Sequence, residues 1–553
     1  MTKLRILPPI SLLCSVALTI GLSSLASTAS AQPQVLSNAV VHYPVAADVS
    51  LPLRDLPPTP YVAPTTSTTI AIRPTKSATL SAPAAAGSLA GSVAGPLINA
   101  TVGLNFEGVG NGATNNCPTV SGATVAPPDT NAAVGDTQVV QWVNLCYAVF
   151  NKSTGALVAG PFPGNRFWSG FKSFCATKNA GDPIIQWDKA NHVWVASQNV
   201  FGPYLTCIAI STTADATGTY NRYAFTQPGF PDYPKWGLTP SVYYQTQNDF
   251  GQNGAAYVGV NVCAYDAVAM RAGSKKATQI CILDNSNGTL FDDSMLPADN
   301  DYAASATSTA PEVLMGSIDN PGHNNAVYEY VMTVSMKRFT ATLAGVNGSM
   351  PITVPTFALG CGGFGACIPQ PSSGSELLDS LGDRLMYRLA HQSNSDGTES
   401  WLVTHSVNDT HAVAAKWYEF TAPSGSTTLT LHQSGQTPDD SEYRWMGSVA
   451  KDKNGNIALG YSRSSAAAGD YPSIYLSGQM AGEPTGTTDT ESLIFAGSGS
   501  QFSTANRWGD YSSMALDGAD LCSFWYTTEY YPADGSFAWH TRIAGQVKFP
   551  SCP

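Results

Sequence analysis

One layout recurs along the chain and limits what it can become. A polar or charged start leads into a short apolar strand, then a turn, then a second strand ending in aromatic or small residues. Asp182-Pro183-Ile184-Ile185-Gln186-Trp187-Asp188 runs through a turn to Val193-Trp194-Val195-Ala196-Ser197. Arg444-Trp445-Met446-Gly447-Ser448-Val449-Ala450 runs through Asp452-Lys453-Asn454-Gly455-Asn456 to Ile457-Ala458-Leu459-Gly460-Tyr461. Arg507-Trp508-Gly509-Asp510-Tyr511 leads to Cys522-Ser523-Phe524-Trp525-Tyr526, and Asp383-Arg384-Leu385-Met386-Tyr387-Arg388 leads to Trp401-Leu402-Val403-Thr404. Lys235-Trp236-Gly237 leads toward Ala256-Tyr257-Val258-Gly259-Val260, with weaker copies near Asp129 and Glu312.

The starts fall near residues 129, 182, 235, 312, 384, 444 and 507. That spacing is roughly right for one four-stranded sheet with loops. We therefore expect an all-β fold: a single β-propeller of seven blades, six being the alternative, over residues 101–553. Two packed β-sandwiches are the rival architecture. Only 12% of residues are charged, against ~25% in ordinary domains. Sheets buried on both faces by their neighbours explain that poverty. Ser375 to His391 is the one stretch read as helical or mixed.

Residues 1–31 have the three parts of a secretory signal. Lys3 and Arg5 come first, an apolar run from Ile10 to Leu22 follows, and Ala29-Ser30-Ala31 forms the exit. Residues 32–100 are rich in Pro, Ser, Thr and Ala and read as an extended leader or linker. The protein is thus expected to be extracellular, with periplasm or cell surface as alternatives, and to have no membrane span after signal cleavage. The net charge of −12 with no basic run excludes nucleic acid as a natural partner. An export route favours disulfides among Cys117, Cys146, Cys175, Cys207, Cys263, Cys281, Cys361, Cys367, Cys522 and Cys552. Pairing in sequence order is the simplest arrangement.

In a propeller the first strand of each blade lines a central channel, so the polar starts meet at one opening. This brings together Asp129, Asp182, Asp232 with Lys235, Arg384, Arg444, and Arg507 with Asp510, with Tyr387 and Tyr511 slightly further along. Arginines fork onto carboxylates. Two carboxylates in unlike surroundings can divide into acid and base. A tyrosine beside a carboxylate can act as nucleophile. The roles expected are Asp182 or Asp510 as acid/base, Tyr511 as nucleophile or proton donor, and Arg384, Arg444, Arg507, Lys235, Asp129, Asp232 and Tyr387 as substrate contacts. No cofactor is expected; the acidic residues Asp292-Asp293 and Asp299-Asn300-Asp301 read as a solvated loop, with a structural Ca²⁺ site as the alternative.

Several stretches are similar to a widespread group of secreted bacterial sialidase-like, BNR-repeat-like propellers. They are Pro128-Asp129-Thr130-Asn131-Ala132-Ala133-Val134-Gly135, Phe230-Pro231-Asp232-Tyr233-Pro234-Lys235, Asp383 to Arg388, Arg444 to Ser448 and Arg507 to Ser513. The resemblance covers roughly residues 100–553 and implies the propeller fold. The mature chain lacks the Arg-Ile-Pro motif of true sialidases, and Ser393 to Trp401 only echoes their Asp-box. The reading is a secreted glycan-active enzyme, a glycoside hydrolase or lyase. Its partner would be an acidic polysaccharide or glycoprotein, and it would work as a monomer. The alternatives are a non-catalytic glycan- or protein-binding propeller, and a peptidase or esterase using Ser512 or Ser513 with His540.

Overall fold

Short strands dominate because the chain supplies little else: β-branched and aromatic runs, cut by Asn, Asp and Gly turns. The computed structural model describes residues 1, 32–56, 66–69, 93–112, 114–117, 123–252, 254, 256–285, 293–302, 311–318, 323–372, 375–502 and 506–552. Contacts divide the chain into Met1–Gln32 and Pro33–Pro553. The expected signal segment, apart from Met1, lies outside the described residues. Everything below concerns the second unit.

That unit is nearly all β. Among the described residues its strands make seven successive antiparallel groups, the fourth and fifth joined into one eleven-stranded sheet, beside three two-stranded pairs; the numbered sheets below are these groups. Their first strands are Asn131–Val134, Ile184–Asp188, Pro231–Leu238, Leu296–Asn300, Leu385–Ser393, Tyr443–Lys451 and Ser513–Leu516. Each first strand adjoins the next, and the seventh adjoins the first. The circuit is made mainly by side-chain packing. The fourth and fifth are also joined directly, with Ala298–Asn300 running parallel to Leu389–His391. Gly237 makes the third-to-fourth contact possible. A Cβ there would lie 2.2 Å from the Ala298 carbonyl oxygen, far inside van der Waals contact.

The seventh sheet is completed by Thr101–Glu107, which pairs with His540–Lys548 across more than 400 residues of chain. Beginning and end of the circuit are thereby closed in one sheet. Cys522–Cys552 fastens the C-terminal end to the same sheet. The other bridges are Cys117–Cys146, Cys175–Cys207, Cys263–Cys281 and Cys361–Cys367. All five follow sequence order, as the spacing suggested. Disulfides fit an oxidising compartment. No helix among the described residues is long and apolar enough to cross a membrane.

Three expectations need correction. Glu312 does not begin a sheet: Glu312–Gly316 is the second strand of the fourth sheet, behind Leu296–Asn300. The first strand, Leu-Pro-Ala-Asp-Asn, hides among acidic residues and lacks the apolar look of its neighbours. The stretch 375–391 is extended throughout its regular parts, as Leu378–Asp379 and Leu385–Ser393. Leu378, Leu381 and Met386 pack in one buried core with Val139, Trp445 and Trp508, and Leu385 and Leu389 in another with Leu296 and Trp401, where tertiary burial overrides local propensity.

The third correction concerns residues 32–100. Residues 33–56 are no free spacer. Val35–Leu36 pairs with the outer strand of the fourth sheet, Val40–His42 with that of the third and Ala46–Val49 with that of the second. The segment runs as a strap across three consecutive outer edges. It is locked by a forked pair from Arg222 to Asp48 at 2.8 Å, and by Arg166 donating to the carbonyls of Leu53 and Leu56. Pro/Ser/Thr/Ala content reports extension, and an extended chain is what a sheet edge accepts. Between the sheets lie fully buried rings, among them Trp142, Trp168, Trp194, Trp236, Trp417, Trp445, Trp508 and Trp539. At ~25 cal/mol per Å² each ring contributes about 4–6 kcal/mol before its entropy cost.

Candidate active site

A backbone irregularity recurs at or near the start of each first strand. Asp129, Asp182, Tyr233, Ser294, Leu381, Met446 and Asp510 all have φ between 44° and 63°. Non-glycine residues avoid this left-handed region, Asp and Asn least strongly. Seven occurrences, one per sheet, mark the same structural position. At Tyr233 and Met446 the strand also slips register, between Asp232 and Lys235 and between Trp445 and Ser448. The irregularity re-aims side chains that would otherwise follow the pleat.

Side chains from five sheets meet there. Lys235 is 1% exposed, and its ammonium lies 3.4 Å from the ring centre of Tyr233, 4.0 Å from Tyr511 and 5.8 Å from Tyr387. Tyr511 sits 5.5 Å from Tyr387 and 6.0 Å from Tyr233, so the three rings form a cage around the amine. The Lys235 ammonium donates to the Pro234 carbonyl at 3.1 Å. Burial pulls its pKa down to about 7; Asp129 and Asp182 oppose this and Arg384 adds to it.

The carboxylates behave in the opposite sense. Asp182 is half-buried and accepts the Tyr233 N–H at 3.1 Å. Burial, with Asp232 nearby, lifts its pKa to about 7. Asp129 is buried, and among the described residues its Oδ1 accepts no hydrogen bond. Burial and the neighbouring Asp182 hold it well above the usual carboxylate range, with Arg507 and Lys235 pulling the other way. Asp232 is half-buried within the same group.

Both arginines of the cluster already hold carboxylates. Arg384 forks onto Asp383 at 2.6 and 3.1 Å and lies 4.6 Å from the Tyr233 ring. Arg507 donates to Asp379 at 3.1 Å and to Asp510. Arg444 belongs elsewhere. It forks onto Asp440 and onto Glu491, and donates to the carbonyls of Pro438 and Glu442. Tyr461 and Arg463 bind the same Glu491. With its donors committed there, Arg444 ties the sixth sheet to the loop carrying Glu491, which corrects its expected place among the substrate contacts.

Asp379, Asp383, Tyr233 and Glu529 belong to the site and were not singled out from sequence. Asp379 accepts the Trp508 N–H and Glu529 the Gly509 N–H, so two buried acids hold the loop bearing Arg507, Asp510 and Tyr511. Burial lifts Asp379 to about 6 and Glu529 well above the ordinary range. A lone Glu inside the aromatic strand Phe524–Tyr530 was the available signal.

The remaining sequence suggestions are placed differently. Asp299 and Asp301 are buried, bound by Arg388 at 3.2 and 2.5 Å, with Lys189 3.1 Å from Asp301. They serve an internal ion network, which replaces the expected solvated loop and its Ca²⁺ alternative at Asp299 and Asp301; Asp292 lies outside the described residues. Among the described residues no group of three or more His, Cys, Asp or Glu is arranged to hold a metal. Ser512 and Ser513 donate to the carbonyls of Met446 and Ala132, while His540 pairs with Glu107. The serines and the histidine are not brought together.

No family model and no curated protein matches the chain. Among solved structures it is similar to a Trypanosoma rangeli sialidase, with a TM-score of 0.32, 9% identity and coverage of 67% of this chain and 54% of that one. The chain thus spans about half of that sialidase. It is also similar to the N11 neuraminidase-like protein of a flat-faced bat influenza A virus, with a TM-score of 0.31, 10% identity and coverage of 71% and 99%. A third is an α-L-arabinofuranosidase of Podospora anserina, with a TM-score of 0.28, 13% identity and coverage of 67% and 91%. The site is read from its own geometry.

Proposed function

We propose that Pro33–Pro553 is a seven-bladed β-propeller and that the cluster at the starts of its first strands is the active site of an exported glycan-cleaving enzyme. One observation carries the reading. Acids in unlike surroundings lie in one cluster: Asp182 titrates near neutrality, burial and Asp182 hold Asp129 well above the usual carboxylate range, and Asp510 is held by Arg507. Separated carboxyl groups of this kind supply a proton to a leaving oxygen and a base to an attacking water.

Asp182 is the general acid in this scheme, because a pKa of about 7 leaves a large protonated fraction at neutral pH and the residue is only partly buried. Asp510 and Asp232 are the candidates for the base or for stabilising positive charge. Tyr511 serves as a positioning proton donor. Burial holds its phenol well above the ordinary range, and its hydroxyl faces the Pro183 carbonyl at 3.5 Å, so the phenolate is not populated.

The test is a panel of neutral, amino and uronic oligosaccharides incubated with the purified protein, with release of new reducing ends as readout. Turnover on at least one class, abolished by Asp182→Asn, is the expected result. A panel left intact at high enzyme concentration would remove the enzymatic reading.

A further inference from the structure

The cluster's charges say more about its ligand than that it is a sugar. Arg384 and Arg507, the groups best suited to a sugar carboxylate, are already neutralised by Asp383, Asp379 and Asp510. Among the described residues, seven carboxyl groups (Asp129, Asp182, Asp232, Asp379, Asp383, Asp510, Glu529) share the cluster with three cations (Lys235, Arg384, Arg507). Asp129 is nine-tenths buried or more, and among the described residues its Oδ1 accepts no hydrogen bond, though it is set among Asp182, Arg507 and Lys235. The faces of Tyr233, Tyr387 and Tyr511 already hold one ammonium, that of Lys235.

We propose that the ligand recognised here carries a primary ammonium on a sugar ring, the chemistry of a polymer of free amino sugars, rather than a carboxylate. The inference rests on the glycan reading above. An arriving ammonium adds counter-charge beside Asp129 and Asp182, whose pKa values burial and mutual repulsion hold up, and so favours their ionised forms and releases protons. An arriving carboxylate meets two arginines that are already paired, and adds repulsion to acids already pushed upward. An N-acetylated sugar brings no charge and leaves the balance as it stands.

Hexamers of glucosamine, N-acetylglucosamine and galacturonic acid, with trilysine as a peptide control, are titrated into the full-length exported protein at pH 6. There a sugar amine is charged and Asp182 is still protonated. Calorimetry in two buffers of different ionisation enthalpy reads affinity and proton release together. The glucosamine hexamer is expected to bind at least tenfold tighter than the N-acetylated one and to release protons on binding. Both effects shrink in Asp129→Asn; Asp182→Asn serves if that variant does not fold. Equal affinities, tighter galacturonate binding, absence of proton release, or trilysine matching the glucosamine hexamer would each overturn the proposal. Cleavage of N-acetylated or uronic hexamers with no preference for the amine would leave the enzyme reading standing and sink this one. If no hexamer is bound or cleaved, both fall.

Discussion

The ammonium of Lys235 lies 4.0 Å from the ring centre of Tyr511, although 276 positions separate them in sequence. The contact joins the third sheet to the seventh and places an amine in the middle of a group of acids. Its consequences can be measured as a pH dependence of stability.

Asp182 has a folded pKa near 7, above its ordinary 3.8. The folded state therefore binds its proton more tightly, and this contribution is full below about pH 4 and lost as pH rises toward 7. Lys235 has a folded pKa near 7, below its ordinary 10.5. Here the unfolded state binds more protons, so stability recovers as pH rises from 7 toward 10.5. From these two groups the melting temperature should pass through a minimum near neutrality. Asp182→Asn should reduce the acid-side slope and Lys235→Met the alkaline one, each by its own share, since Asp129, Asp379, Glu529 and Lys416 are shifted in the same senses. Melts across pH 4–10 read both, and an unchanged profile in either variant would reject the assignment.

Tyr511→Phe should cost less than about 1 kcal/mol of stability, since it deletes only a long hydroxyl contact and keeps the ring under Lys235. Tyr511→Ala should cost about 3–5 kcal/mol, because it opens a cavity and removes one wall of the cage. Denaturant unfolding of the two variants separates ring from hydroxyl. If turnover falls in Phe as it does in Ala, the hydroxyl carries the proton-donor role.

Arg444→Met should destabilise by about 2–3 kcal/mol, discounted because Asp440 is partly exposed, while leaving Glu491 short of a partner. The folded variant should keep its kcat/KM. Arg507→Met should do the reverse on activity, because it releases Asp510 beside Tyr511. Kinetics on the two variants, each compared at a temperature well below its own melt, test the separation.

Asp48→Ala removes the forked partner of buried Arg222 and should loosen the strap over the second sheet. A loss of about 1 kcal/mol is expected, since Asp48 is itself partly exposed. Faster amide exchange should be confined to Ala46–Val49 and its partner Tyr220–Thr226. Exchange spread evenly over all seven sheets would contradict a local strap.

Much of this was legible in the sequence because hairpins are local. Ile184–Asp188 with Val193–Val200, and Tyr443–Lys451 with Ile457–Ser464, need only a turn between them, and the turn residues are written in the chain. The five disulfides follow for the same reason, each closing within one neighbourhood. The strap was not legible, because its partners lie some 170 to 310 residues away and its composition resembles a spacer. Arg444 carried the same motif as Arg507; only the three-dimensional position of Glu491 separates their fates. Asp379 and Glu529 act through backbone N–H groups of a distant loop, which no residue pattern announces.

The central claim is that acids far apart in the chain work as one proton-handling site, with Asp182 as its donor. The most direct measurement is steady-state turnover of Asp182→Asn on whichever oligosaccharide the wild-type protein cleaves, beside its melting curve. The account predicts a fall of roughly 10²–10⁴-fold in kcat with an equal or higher melting temperature at pH 7, because Asn replaces a carboxyl that is half protonated there. Turnover within a fewfold of wild type, in a variant that melts normally, would contradict it.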